Sequence, residues 1–130
     1  MPHQNMQVSV GLILENECVL LGKRSTGYYN GYWEFPGGKI EKNETPYEAL
    51  RRELSEELDI NVTKASEMLT IKHSLYISTL TLYIYQVDDY EKDIKPNERQ
   101  QLQWVKTSHM RQFKTIPTNE AILQYLEQLC

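Results

Sequence analysis

The chain has little that could staple it, anchor it or draw it to a polyanion. Of its 130 residues only two are cysteine, Cys18 inside an apolar run and Cys130 at the end. Neither belongs to a Cys-x-x-Cys pair, so zinc-ribbon and thioredoxin-like sites find no support. Two thiols in a reducing compartment are expected rather than a disulfide. No apolar run approaches the roughly 18 residues needed to span a bilayer. Met1 to Gln7 is polar and offers no signal-peptide core. These absences lead us to expect a cytoplasmic protein without membrane association. A basic excess is missing too: 14 Lys and Arg stand against 18 Asp and Glu, a formal net charge of -4. Nucleic-acid polymers are therefore not the expected partner. An acidic chain can still take a phosphorylated ligand when a divalent cation stands between carboxylates and phosphates. Repeats, low-complexity tracts and linkers are absent as well. The length suits one domain spanning residues 1–130, large enough to bury a proper core.

Several segments announce their local structure. Val8 to Leu14 and Cys18 to Leu21 are apolar and flank Glu15-Asn16-Glu17, which predicts a hairpin. Lys23 to Tyr32 is polar and contains Gly27, Asn30 and Gly31, so a loop is expected. Trp33-Glu34-Phe35 is a short strand-like piece, stopped by Pro36-Gly37-Gly38. Thr45, Pro46 and Glu48 form a helix-start signature of cap, first-turn proline and capping-box acid. Leu50, Leu54 and Leu58 then make one apolar stripe, predicting a helix over Pro46 to Leu58. Leu69 to Ser78 and Thr79 to Val87 are strand candidates. The second alternates Leu80, Leu82 and Ile84 with Thr81, Tyr83 and Tyr85, so its inward face stays open at this level. Asp88 to Gln101 reads as a charged loop and Leu102 to Val105 as a short strand. Asn119 to Leu129 reads as a helix with Ile122, Leu123, Leu126 and Leu129 inward. The order predicts an α+β fold with helices on the faces of a mixed sheet.

The acidic face of the first helix is the most informative feature. Glu53, Glu56 and Glu57 are related by three and four positions and share one face. Such like charges repel, by a few tenths of a kcal/mol per exposed pair. A purely structural reading makes this a solvated face balanced by Arg51 and Arg52. That reading leaves the preceding Pro-Gly-Gly turn and Glu44 unexplained. Clustered carboxylates are what a hard divalent cation needs, and a glycine-rich turn lets a backbone carbonyl approach the same ion.

The segment resembles the Nudix box. Gly38, Glu44, Arg52, Glu53, Leu54, Glu56, Glu57 and Ile60 match eight of its nine defined positions over 23 residues. The departure is Asp59, where the family has glycine in a helix-ending, left-handed conformation that Asp tolerates better than most residues. The stretch from Trp33 to Glu41 and the segment Pro117-Thr118-Asn119-Glu120 are similar to the MutT branch, the 8-oxo-dGTP diphosphatases. The resemblance implies a Nudix fold, a mixed β-sheet packed between helices as an α/β/α sandwich. It also implies a hydrolase that splits a nucleoside triphosphate into a monophosphate and pyrophosphate. The metal would be Mg²⁺, with Mn²⁺ as the alternative. The partner would be a small nucleotide, and the protein a monomer or weak dimer.

Residue by residue, the resemblance assigns metal binding to Gly37, Glu53, Glu56, Glu57 and Glu98. Glu53 is the implied base, Arg52 holds the glutamates, and Glu44 either helps it or binds a further metal. Lys39 and Arg24 are candidate phosphate contacts, each with a surface-charge alternative. Asn119 would read the base, although it could equally cap the last helix. Phe35, with Tyr76 or Tyr83, could sandwich a base. Tyr28, Tyr29 and Tyr32 read most simply as part of a tight turn and could also rim a pocket. His73 has no partner at ligand spacing and reads as an ordinary strand residue. The primary expectation is an 8-oxo-dGTP diphosphatase. The alternatives are a pyrophosphohydrolase for CTP, dCTP or a modified pyrimidine nucleotide, and a catalytically silent nucleotide-binding module.

Overall fold

In a computed structural model the described residues form eight strands and two α-helices. The structure describes residues 4–98 and 101–129. The strands are β1 (Gln4–Leu12), β2 (Leu14–Glu15), β3 (Cys18–Lys23), β4 (Trp33–Glu34), β5 (Gly37–Lys39), β6 (Asn61–Ser74), β7 (Ser78–Glu91) and β8 (Gln101–Lys106). The helices are α1 (Pro46–Leu58) and α2 (Glu120–Leu129). Short 3₁₀ turns cover Thr107–Gln112 and Pro117–Asn119.

The expected hairpin is present, with Asn16 and Glu17 in left-handed conformations between β2 and β3. The apolar run before it does not form one strand, however. It divides at Ile13, so that β1 joins one sheet and β2 the other. The larger sheet has the order β5-β1-β7-β6 and is mixed, because β1 runs parallel to β7 and antiparallel to β5. The smaller one orders β2-β3-β4, with β8 on β3. Gly37 and Gly38, read from sequence as part of a turn with Pro36, form a strand with Lys39 because β1 supplies its ladder: Ser9 faces Gly38 and Val10 faces Gly37. Similarly, β6 starts at Asn61, well before Leu69, and β7 continues to Glu91, inside the stretch read as a loop.

The two faces of β7 are both covered. Leu82 and Ile84 join Val10, Leu12, Val19, Leu21, Phe35 and the α2 residues Ile122, Leu123 and Leu126 in one core. Tyr85 and Val87 join Ile13, Leu20 and the α1 residues Leu50, Leu54 and Leu58 in a second. Alternation along β7 could not select an inward face because neither face is outward. Of the four α2 residues expected inward, Leu129 is exposed, at the last residue of the helix.

The start of α1 follows its local code. Thr45 Oγ1 accepts from the Glu48 N–H at 3.1 Å, and Glu48 Oε1 accepts from the Thr45 N–H at 3.0 Å. Asp59 ends the helix in the left-handed conformation, φ 60 and ψ 28, that the departure from glycine demanded. Among the described residues no helix is long and apolar enough to cross a membrane.

Candidate active site

Pinned by its leucines, α1 turns the opposite edge of its acidic face toward β5. Glu57 is 6% exposed, and its carboxylate accepts the Gly37 N–H at 3.0 Å. Glu53 lies one turn back, directly beneath Gly38. A Cβ at Gly38 would collide with the Glu53 carboxylate, and one at Gly37 with the Ser9 carbonyl. Gly37 also holds φ +151, a conformation side chains disfavour. The two glycines therefore let a strand lie flat on a row of carboxylates, which no other residue pair would permit.

Arg52 organises the exposed flank. Its guanidinium forks onto Glu44 at 2.7 and 3.0 Å. It also reaches Glu53 at 2.9 Å, Glu56 at 3.4 Å and the Lys39 carbonyl at 2.9 Å. Arg52 is thereby held firmly protonated, its pKa raised chiefly by the Glu44 pair. Glu44 is held down at about 2, through Arg52 and then the Glu41 N–H. Glu44 is thus paired with Arg52 through both carboxylate oxygens.

Glu57 is treated differently. Burial pushes its carboxyl up to about 8, against the pull of the Gly37 N–H and with further repulsion from Glu53, Glu98 and Glu34. Burial also raises Glu53, which Arg52 opposes and the charges of Glu56 and Glu98 reinforce. The sheet and helix thus gather a carboxylate excess that the protein's own cations leave uncompensated at Glu57. Its donors are all hard oxygens, the kind Mg²⁺ and similar ions take. Among the described residues, no three acidic, histidine or cysteine side chains stand in a ready-made ligand arrangement.

A cavity of about 520 Å³ opens beside this cluster. Glu57, Glu98, Gly37, Gly38 and Lys39 line it, together with Phe35, Thr118 and Asn119. Glu44, Arg52, Glu53 and Glu56 flank it without forming its wall. Asn119 is only 8% exposed at the end of the second 3₁₀ turn, just ahead of α2. Phe35 is buried in the α2-side core. Arg24 also lines the cavity, but it is engaged with Glu34 at 3.2 Å and the Tyr28 carbonyl at 3.0 Å. Most residues singled out from sequence therefore converge here, from five separate stretches of chain.

The aromatic partners expected for Phe35 do not. Tyr83 packs on the α1 side of the sheet, and Tyr76 is fully exposed at the β6–β7 turn. A parity of one along β7 puts Tyr83 on the face opposite Leu82, which does line the cavity. The loop tyrosines 28, 29 and 32 pack edge-on against one another and do not form the wall. Sequence reading passed over Glu34. It is a lining carboxylate whose pKa is raised by burial despite Arg24. Its signal was position alone, one residue before Phe35.

Comparison with known proteins agrees with this geometry. The sequence matches the NUDIX domain over residues 5–126. It is 33% identical over 96 residues to the 8-oxo-dGTP diphosphatase of Proteus vulgaris, covering 72% of this chain and 86% of that protein. It is 28% identical over 120 residues to the CTP pyrophosphohydrolase of Escherichia coli K12, covering 92% and 89%. A MutT structure, from work on the proteins of Aliivibrio salmonicida and Vibrio cholerae, superposes with a TM-score of 0.86. That match has 25% identity and covers 98% of this chain and all of the other. A match over nearly the whole length, an intact acidic helix and a shared architecture lead to one conclusion: the chain belongs to the NUDIX domain family of hydrolases.

Proposed function

We propose that this protein is a Mg²⁺-dependent nucleoside triphosphate pyrophosphohydrolase that converts 8-oxo-dGTP to 8-oxo-dGMP and pyrophosphate, clearing an oxidised precursor from the nucleotide pool. The observation that carries this reading is the cavity itself, whose lining includes both carboxylates, Glu34, Glu57 and Glu98, and the buried Asn119. A triphosphate needs the first and a purine edge the second.

Glu53, Glu56, Glu57, Glu98 and the Gly37 carbonyl would hold Mg²⁺. When bound, the ion neutralises charge on the phosphate oxygens and favours in-line attack by water. Glu53 accepts the proton of that water, a role helped by burial, which raises its basicity. Arg52 keeps Glu53 and Glu56 aimed, and Glu44 keeps Arg52 aimed. Lys39, exposed on the cavity wall, holds the phosphates. Arg24 orients the neighbouring wall through Glu34 and contributes charge there. Asn119 both donates and accepts, so it can tell a keto purine edge from others, with Phe35 beneath the ring.

A pyrimidine triphosphate is the second reading, favoured by the likeness to the CTP pyrophosphohydrolase over most of both chains. A silent binding module is disfavoured because all the box carboxylates are in place. The test is pyrophosphate release with Mg²⁺ from 8-oxo-dGTP, dGTP, CTP, dCTP and 5-methyl-dCTP. The proposal expects the highest kcat/KM on 8-oxo-dGTP and a preference over dGTP that Asn119→Ala reduces. Highest activity on a cytosine nucleotide would replace the base assignment, and an inert protein would restore the binding module.

A further inference from the structure

The turn that carries Asn119 is too short to hold itself in place. Pro117–Asn119 is a single 3₁₀ turn, and isolated turns of this kind have poor hydrogen-bond geometry. Neighbouring elements fix it. At its entrance, the Ile116 N–H donates to the Trp33 carbonyl at 3.2 Å. At its exit, Arg111 clamps Glu120 at 2.7 and 2.9 Å, and the same guanidinium holds Glu127 farther along α2. Between these points the Thr118 carbonyl lies 3.2 Å from Nε2 of His73, across 45 residues of sequence.

His73 occupies an unusual place on β6. Leu69 and Ile71 precede it at period two and pack toward the α2-side core. His73 continues that inward row and is itself half-buried. A hydrogen bond from a ring nitrogen there contributes about 1 kcal/mol. A carbonyl can only accept, so Nε2 must carry the proton and donate. His73 therefore reaches the peptide that joins two lining residues, Thr118 and Asn119. It does not itself belong to the cavity wall.

We propose that His73 is a positioning residue for base recognition: by donating to the Thr118 carbonyl it fixes the 117–119 turn and so the direction of the Asn119 amide. The proposal rests on the reading of Asn119 as the base contact. It adds a residue on a distant strand that sets substrate selectivity without touching substrate. Glu53, Glu56 and Glu57 stand on α1, a different element from either side of this contact, so phosphate chemistry is left intact.

The experiment compares the parent with His73→Phe, which keeps a ring and loses the donor, and His73→Gln, which restores a side-chain N–H. Steady-state kcat and KM are measured with Mg²⁺ on 8-oxo-dGTP and dGTP, alongside Asn119→Ala and the double variant His73→Phe/Asn119→Ala. Loss of one hydrogen bond predicts that His73→Phe raises KM for 8-oxo-dGTP about fivefold and narrows its preference over dGTP, with kcat unchanged. His73→Gln recovers most of the preference, and the double variant resembles Asn119→Ala alone, because the two act through one contact. Parental KM and preference in His73→Phe would overturn the proposal. So would a fall in kcat with no recovery by glutamine, or strictly additive effects in the double variant. If the parent instead prefers another nucleotide, the base assignment fails. The parent, His73→Phe, Asn119→Ala and the double variant on that nucleotide then decide by additivity whether His73 acts through Asn119.

Discussion

Glu57 is a carboxylate that the fold holds at a cost until a cation arrives, and that cost can be measured. Its side chain is 6% exposed beneath β5, with Glu34, Glu53 and Glu98 as the charges around it. Burial raises its pKa from 4.5 to about 8. Between those values the folded protein carries a proton that the unfolded chain has released, so stability falls as pH rises through that window. The contribution is fully present below about pH 4.5 and lost by about pH 8. At pH 7 the loss is about 3 kcal/mol, at 1.36 kcal/mol per unit. Glu57→Gln removes the charge and keeps an oxygen able to accept the Gly37 N–H. In EDTA, urea unfolding of parent and variant should give nearly equal stabilities at pH 5. At pH 7 the variant should be the more stable by about 3 kcal/mol, equivalent to roughly 10 °C in a domain of this size, and by more at pH 8. The same variant should be a crippled hydrolase, which separates its effect on stability from its effect on chemistry. A difference independent of pH, or a variant less stable than the parent at pH 8, would refute the electrostatic account of this site.

Other consequences are as direct. Mg²⁺ should raise the Tm of the parent more at pH 8 than at pH 6, because a protonated Glu57 competes with the ion. The effect should be small in Glu57→Gln, and thermal scans at fixed Mg²⁺ check both. Arg52→Ala should free Glu44 and leave Glu53 and Glu56 to repel, lowering kcat about 10- to 100-fold, the range for loss of a residue that orients metal ligands. Arg52→Lys should rescue little of this, since a lysine cannot fork onto Glu44 while also reaching Glu53. Thr45→Ala removes the N-cap and should lower stability by about 1 kcal/mol in urea unfolding while leaving kcat unchanged.

The site was legible in the sequence to the extent that its code is local. Thr45, Pro46 and Glu48 start α1, Leu50, Leu54 and Leu58 orient it, and Asp59 ends it, all within one run of chain. Once the helix exists, helical spacing alone puts Glu53, Glu56 and Glu57 on one face. Sequence thus determined the acidic helix and its charge, and through the box the family. It did not determine the strand character of Gly37–Lys39, because that depends on pairing with β1 some 30 residues earlier. Nor did it show that β1 and β2 part company at Ile13, that β7 is covered on both faces, or that Tyr83 turns from the cavity. Those outcomes come from contacts distant in sequence, which periodicity does not encode. Residue type made Glu57 acidic, but only burial beneath a glycine strand made it a poor acid. Likewise, residue type made His73 a potential donor, but only the packing of β6 against the 117–119 turn gave it the Thr118 carbonyl.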